Sequence, residues 1–220
     1  PNAVDVFNSI DKLHIIACGT SYHAGLITKY WAEDIIGLPC QVEVASEFRY
    51  RNPVIQNNTL FITISQSGET ADTLAALLQI SKKRGTRNIP TLTICNVAES
   101  SLTRESDLSF LTHGGPEIGV ASTKAFTTQL VALALLITSL GKVKNTLDVA
   151  REALIVSGLH KLPSLIANAL THEGEIEGIA QLFADKQHVL FLGRGTMYPI
   201  AMEGALKLKE ISYIHAEAYP

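Results

Sequence analysis

A cluster of small polar residues follows an apolar run near the middle of the first half of the chain. The stretch "FITISQSGETADTL" (Phe61 to Leu74) contains no lysine or arginine. Hydroxyl and amide donors occupy Ser65, Gln66, Ser67 and Thr70. Together with the free N–H groups at the start of a following helix, such donors can hold a phosphate monoester without a cation. The sequence therefore predicts an anion-binding loop here.

The residues of this loop also allow other interpretations. The Walker A pattern GxxxxGK[ST] is absent, and "CGTSYHAG" does not match GxGxxG, so a bound dinucleotide is disfavoured. Ser65 and Ser67 could instead be ordinary turn and helix-capping residues. One cap needs one hydroxyl, and no Ser-x-x-Glu capping box fits, so the residues favour anion binding but leave capping open.

A second candidate lies near the end of the chain. Glu203, Lys207 and Glu210 have the i, i+4, i+7 spacing that places them on one face of a helix. Such a face is often an exposed stripe of ion pairs, whereas a glutamate beside a lysine can also act as a general base on a sugar carbon. The spacing does not decide between the two. None of the seven histidines is a credible catalyst from its position alone.

The cysteines and the charge balance exclude several classes of protein. Cys18, Cys40 and Cys95 are widely spaced and form no zinc pattern, which favours free thiols in the reducing cytoplasm. Cys18 follows a predicted strand and could face a ligand, although a packed thiol is the commoner arrangement. The net charge of −3 gives no support to nucleic-acid or anionic-membrane binding. We predict no metal and no organic cofactor.

The apolar run "LVALALLITSL" (Leu130 to Leu140) is too short to span a bilayer and predicts a buried helix. No signal peptide precedes the first predicted strand. The chain starts at Pro1 without a methionine and stops at Pro220, so we expect it to be a piece of a longer protein.

Strands alternate with helices through the first two thirds of the chain. Apolar strand centres between helical segments predict an α/β fold with a doubly wound parallel sheet flanked by helices, over roughly residues 10–143. Ligands bind beyond the carboxyl ends of such strands. Three hydroxyl-rich loops are expected there: residues 19–21, 65–70 and 119–123.

The local patterns also predict individual boundaries. Ser46 should cap a short helix, and the apolar helix after residue 123 should end at Gly141. Residues 146–184 are predicted to be helical, with breaks near Pro163 and Gly174.

The stretch "HVLFLGRGTMYPIA" repeats the pattern of "HIIACGTSYHAGLI", with the matching Gly19 and Gly193 separated by 174 positions. The repeat predicts two copies of one α/β unit, with the second cut off after its first strand and helix. We therefore divide the chain into a first domain at 1–144 and connecting helices with a truncated second domain at 145–220.

Six motifs together resemble the isomerase half of the glucosamine-6-phosphate synthases, which are glutamine–fructose-6-phosphate aminotransferases, and the bacterial type in particular. In chain order they are "CGTSY", "ASEFRYR", "ISQSGETADTL", "EIGVASTKAFTTQL", "LFLGRG" and "EGALKLKEISYIHAEAY". That half contains two sugar-isomerase (SIS) domains, which agrees with the internal repeat.

The resemblance implies roles for residues at matching positions. The phosphate of fructose 6-phosphate would be held by Ser65, Gln66, Ser67 and Thr70. Further substrate contacts would come from Thr20, Ser21, Cys18, Val120 and Ser122. Glu210 would move a proton between C1 and C2 of the sugar, with assistance from Lys207.

The resemblance also implies partners and limits. Family members form homodimers through this half and carry a glutaminase domain that is absent here. The family's ring-opening histidine and Schiff-base lysine lie beyond Pro220, and His215 is not that histidine. We expect a cytoplasmic protein whose isolated chain does not perform the synthesis. Alternatives are a non-catalytic SIS module that senses a sugar phosphate, or another phosphosugar isomerase, which would share the phosphate loop but not the "EGALKLKE" helix.

Overall fold

The computed structural model describes residues 2–220, which form nine helices and seven strands. The strands are β1 (Lys12–Ala17), β2 (Cys40–Val44), β3 (Thr59–Ser65), β4 (Thr91–Cys95), β5 (Leu108–Leu111), β6 (His188–Leu192) and β7 (His215–Tyr219). The helices are α1 (Ala3–Ser9), α2 (Gly19–Ile36), α3 (Ala45–Arg49), α4 (Ala71–Lys83), α5 (Ser101–Glu105), α6 (Lys124–Val143), α7 (Val149–Leu170), α8 (Glu173–Gln181) and α9 (Met197–Ser212).

The first five strands form one parallel sheet in the order β2-β1-β3-β4-β5. Every residue of β3 and β4 is buried, as expected for central strands that are covered on both faces. Successive side chains of a strand point to opposite faces, so Ile15 packs in one core and Ile16 in the other. The predicted doubly wound α/β fold is confirmed.

Each face of the sheet carries its own layer of helices. One core contains side chains from α1, α2 and α6, and the other contains side chains from α3 and α4. Burying apolar area in these two cores is the main stabilising contribution, at about 25 cal/mol for each Å² removed from water.

Two helices, α6 and α7, are long and apolar enough to cross a membrane by length and composition. In α6 that apolar character has a structural explanation, because its side chains pack against α2 and the sheet. The buried set is Ala132, Leu133, Leu136, Ile137 and Leu140. The predicted buried helix is confirmed, although it ends at Val143, two residues beyond the predicted Gly141.

Several local predictions were wrong. Helix α7 runs through Pro163 without a break, whereas the break predicted near Gly174 is present as a turn at residues 171–172. Since α7 has no buried residue, water can satisfy the carbonyl that Pro163 leaves unpaired. Ser46 does not cap α3, because that helix begins one residue earlier, directly from β2.

Two elements were not predicted at all. The first is α1, whose start is capped by the Asn2 side chain accepting from Val4 N at 3.0 Å. The second is β7, which pairs parallel with β6, so the second α/β unit continues one strand further than the repeat indicated. Helix α9 connects β6 to β7 and packs on α2. It therefore joins this second unit to the first.

Candidate functional site

The strand order predicts a ligand-binding crevice at the carboxyl ends of β1 and β3. The chain continues from β1 to β2 on one side of the sheet and then crosses back past β1 to β3. Neighbouring strands whose connections lead in opposite directions leave room for a ligand at their carboxyl ends. The segments that follow them are Cys18–Ser21 and Ser65–Thr70. Two of the three predicted hydroxyl-rich loops therefore follow neighbouring strands at the same edge of the sheet.

The loop after β3 is held by its own hydroxyl groups. Ser65 Oγ lies 2.8 Å from Thr70 Oγ1 and accepts a hydrogen bond from Gly68 N at 3.0 Å. Ser67 Oγ accepts from Glu69 N at 3.1 Å. These contacts bend the loop across the end of β3 and fix the positions of the three hydroxyl groups.

The geometry at the start of α4 bears on the capping alternative. Thr70 is the N-cap residue, but its side chain makes no capping hydrogen bond. Its hydroxyl pairs with Ser65 instead. No side chain of the N-cap residue competes with an anion for the first N–H groups of α4, and those groups carry partial positive charge. Gln66, which lies four residues before Thr70 in the sequence, is half-buried.

The loop after β1 differs from its prediction. Residues 19–21 were expected to form a turn, but they are the first turn of α2, with Cys18 as the N-cap residue. Cys18 is half-buried and Ser21 is buried. Thr20 Oγ1 donates to Glu203 Oε1 at 2.8 Å, so its hydroxyl already has a protein partner.

The predicted face of α9 is present, and it is more than a surface stripe. Lys207 Nζ lies 2.5 Å from Glu210 Oε2 and 3.7 Å from Glu203 Oε1. Glu203 is buried at 6% exposure, whereas Glu210 is exposed. The helix therefore presents a lysine between one buried and one accessible carboxylate. An accessible carboxylate beside an ammonium group is suited to moving a proton on a bound sugar.

Within residues 2–220 no hydrogen bond or ion pair joins the third predicted loop to the other two. Val120 is fully exposed, and Ser122 Oγ lies 3.4 Å from Glu117 Oε2. Glu117 Oε2 also accepts from Ala125 N at 2.9 Å, which caps the start of α6. The substrate contacts expected of Val120 and Ser122 remain predictions.

Two functional candidates were missed by sequence reasoning. His23 Nδ1 lies 2.7 Å from Glu203 Oε2, and both side chains are buried. Glu117 is the second, as the cap of α6. The pair of Thr20 and His23 at i, i+3 was the available signal for the first, but nothing local indicates that Glu203 would meet them.

The surroundings of the cysteines and the arrangement of possible metal ligands follow from the structure. Cys40 and Cys95 are buried, and burial raises the pKa of the Cys40 thiol to about 12. Over residues 2–220 no group of three or more His, Cys, Asp or Glu side chains is arranged to hold a metal ion. Neither buried thiol is suited to reaction with a ligand.

Comparison with curated proteins finds extensive similarity. The chain is 62% identical over 220 residues to the glutamine–fructose-6-phosphate aminotransferase [isomerizing] of Pseudomonas syringae pv. tomato, covering 100% of this chain and 36% of that protein. It is 63% identical over 215 residues to the same enzyme of Acinetobacter baylyi, covering 97% of this chain and 35% of the relative. The chain thus spans about a third of the length of these relatives.

Solved structures and protein families give the same answer. The C-terminal domain of glucosamine-fructose-6-phosphate aminotransferase from Francisella tularensis superposes with a TM-score of 0.96 at 53% identity, covering 100% of this chain and 60% of that one. A putative phosphosugar isomerase from Silicibacter pomeroyi superposes with a TM-score of 0.82 at 28% identity, covering 99% and 62%. These matches support the aminotransferase resemblance over the sensing and other-isomerase alternatives. The SIS domain matches residues 7–139 and 182–220, and the chain belongs to the SIS domain family.

Proposed function

We propose that this chain is the sugar-phosphate isomerase part of a glutamine–fructose-6-phosphate aminotransferase. The longer protein would convert fructose 6-phosphate and glutamine to glucosamine 6-phosphate and glutamate. The observation that carries the proposal is 62% identity to such an enzyme along all 220 residues. The hydroxyl-rich segments at the carboxyl ends of β1 and β3 support it, because hydroxyl and backbone N–H donors suit a phosphate monoester.

Within that proposal, the loop after β3 anchors the substrate. Ser65, Gln66, Ser67 and Thr70 would surround the 6-phosphate, together with the first N–H groups of α4. The loop contains no cation, so binding would rest on hydrogen bonds and the helix dipole. Cys18 and Ser21 would lie at the other wall of the crevice, and Val120 and Ser122 would reach the sugar from the loop before α6.

The proposed chemistry belongs to α9. Glu210 would take a proton from C1 of the open-chain ketose, leaving an enediolate, and would return it to C2 while the proton of the C1 hydroxyl moves to the C2 oxygen. Lys207, which contacts Glu210 at 2.5 Å, would assist by stabilising negative charge that develops on the sugar oxygens. The proton is conserved overall, so no oxidant or cofactor is needed.

The remaining organisation is part of the same proposal. Residues 1–144 would form the first SIS domain, and residues 145–220 the connecting helices with the start of the second. The separate β6-β7 sheet supports that division. A homodimer, a glutaminase domain and a cytoplasmic location would follow from the relatives' enzyme. Glucosamine 6-phosphate formation from fructose 6-phosphate and ammonia by the 220-residue chain would refute its expected inactivity in synthesis.

Calorimetry tests the phosphate loop directly. Glucose 6-phosphate should bind the chain, and glucose should bind far more weakly. Ser67→Ala should lower the affinity for the phosphorylated ligand only. Ser164→Ala, on the exposed surface of α7, should change neither affinity. Equal affinity for the two sugars would overturn the assignment of this loop.

A further inference from the structure

The carboxylate of Glu203 is a buried charge at the junction of the two α/β units. Its exposure is 6%, and both oxygens have partners. Oε1 accepts from Thr20 Oγ1 at 2.8 Å, and Oε2 lies 2.7 Å from His23 Nδ1. A buried carboxylate is costly unless it is paired and hydrogen bonded, so each of these contacts offsets part of the cost of burial.

Both partners belong to the first turns of α2. Thr20 and His23 are three residues apart and therefore share one face of that helix. Helix α2 starts directly after β1, at the crevice described above. Glu203 belongs to α9, 180 residues further along the chain from His23. The carboxylate thus connects the wall of the crevice to the helix that carries Lys207 and Glu210.

Lys207 completes this arrangement. Its ammonium lies 3.7 Å from Glu203 Oε1 and 2.5 Å from Glu210 Oε2, and its side chain is 17% exposed. A lysine side chain is flexible, and a carboxylate on each side restricts where its charge can lie. Any change in the position of Glu203 would therefore move the Lys207 ammonium relative to Glu210.

We propose that Glu203 is a positioning residue whose carboxylate is held in place by Thr20 and His23. In that place it sets the location of the Lys207 ammonium beside Glu210. The inference deepens the proposed function and rests on it. It also changes the expected role of Thr20, because the Thr20 hydroxyl would hold Glu203 and not the substrate. A sugar phosphate would instead accept hydrogen bonds from the backbone N–H groups in the first turn of α2.

Two ligands separate positioning at the reacting carbons from binding of the phosphate. Glucose 6-phosphate presents a phosphate but no charge at C1 or C2. The five-carbon 5-phosphoarabinonate presents the same phosphate and a carboxylate where an enediolate would carry its charge. Correct placement of Lys207 should matter mainly for the second ligand. Affinities of the 220-residue chain for both are measured by calorimetry.

Glu203→Gln should lower the affinity for 5-phosphoarabinonate about tenfold, which is the loss expected for one misplaced charge-assisted hydrogen bond. The affinity for glucose 6-phosphate should fall less than about threefold. Lys207→Met should weaken 5-phosphoarabinonate in the parent chain but have little further effect with Glu203→Gln. Lys209→Met, a lysine exposed on the same helix, is the matched control and should leave both affinities unchanged.

A second pair of variants covers the case in which Glu203→Gln fails to fold. His23→Ala should reproduce the selective loss, and His23→Asn, which keeps a donor near the position of Nδ1, should restore the affinity. The positioning role of Glu203 would be overturned if the His23 or Glu203 variants lowered the affinities for the two ligands equally. It would also be overturned if the effects of Glu203→Gln and Lys207→Met were additive. Neither outcome would affect the proposed function. Unchanged affinity of both ligands in Ser67→Ala would overturn the proposed function instead.

Discussion

Ser65 Oγ lies 2.8 Å from Thr70 Oγ1, so the last residue of β3 is hydrogen bonded to the residue that precedes α4. Ser65 is 2% exposed, and its hydroxyl also accepts from Gly68 N at 3.0 Å. One buried hydroxyl therefore holds both sides of the loop. This contact connects the stability of the loop to its predicted ability to bind a phosphate.

Thr70→Val should break this contact while keeping the shape of the side chain. We expect the free energy of unfolding to fall by about 1 kcal/mol, since Ser65 loses a hydrogen-bond partner. Glucose 6-phosphate affinity should fall as well, because one donor of the predicted phosphate site is removed. Urea denaturation and calorimetry measure the two effects. Thr70→Ser keeps the hydroxyl and is the control; a loss as large as that of Thr70→Val would contradict the interpretation.

Gly68 is fixed by its backbone and by a neighbour. Its φ is +70°, and an added Cβ would lie 2.0 Å from Ser100 Oγ. Gly85 also has positive φ, at +52°, but a Cβ there would meet nothing within 4 Å. Gly85→Ala should cost about 1 kcal/mol for the backbone alone. Gly68→Ala should cost more than about 2 kcal/mol because the clash adds to the strain.

Thermal or urea unfolding of the two glycine variants measures this difference. Adding Ser100→Gly to Gly68→Ala removes the side chain that an alanine would strike, and should recover part of the lost stability. Equal destabilisation by Gly68→Ala and Gly85→Ala would show that the contact with Ser100 contributes nothing.

Local sequence patterns were sufficient for the parallel sheet and for most of its helices. Strand β3 is predicted because its residues are apolar or β-branched and a glycine-containing polar loop follows. The rule that ligands bind at carboxyl ends then located Ser65–Thr70 in the candidate site. Pro163 was misread because the proline rule is local, and an exposed helix tolerates the lost hydrogen bond.

The contacts between distant segments could not be predicted in this way. Helical spacing placed Glu203 on the face of Lys207, but the burial of Glu203 depends on α9 packing against α2. The i, i+3 spacing of Thr20 and His23 does not indicate their shared partner, which is 180 residues away from His23. The strand order that brings Cys18–Ser21 beside Ser65–Thr70 is likewise a property of the whole sheet.

His14 should make the stability of the fold depend on pH. His14 is 4% exposed, and its Nε2 lies 2.8 Å from Glu43 Oε1. Burial lowers the pKa of His14 below its ordinary value of 6.5, although Glu43 acts in the opposite direction. As pH falls below 6.5, the unfolded chain takes up a proton that the folded chain resists. Stability should therefore be retained above this pH and fall on acidification.

His14→Gln tests that dependence, because glutamine keeps a donor for Glu43 and does not titrate. Urea denaturation between about pH 7 and pH 5 should show a smaller loss of stability in the variant than in the parent chain. His160→Gln changes an exposed histidine and should leave the parent's dependence unchanged. An identical pH dependence of the parent and His14→Gln would rule out His14 as its source.

Glu117 should order the loop before α6, because its side chain is hydrogen bonded to the first turn of that helix. Its Oε2 accepts from Ala125 N at 2.9 Å, while the N-cap residue Thr123 makes no side-chain capping bond. A carboxylate at this end of a helix also interacts favourably with the dipole. Glu117→Ala should cost about 1 kcal/mol, and Glu117→Gln about half as much because it keeps an acceptor but loses the charge.

The measurement for Glu117 combines urea denaturation with hydrogen exchange, because capping and loop order are separate consequences of one contact. Backbone amides in residues 118–125 should exchange faster in Glu117→Ala, since the carboxylate that joins the loop to Ala125 is gone. Glu177→Ala, on the exposed surface of α8, should change neither stability nor exchange in this loop. If Glu117→Ala lowers stability without faster exchange in residues 118–125, the carboxylate caps α6 but does not order the loop that carries Val120 and Ser122.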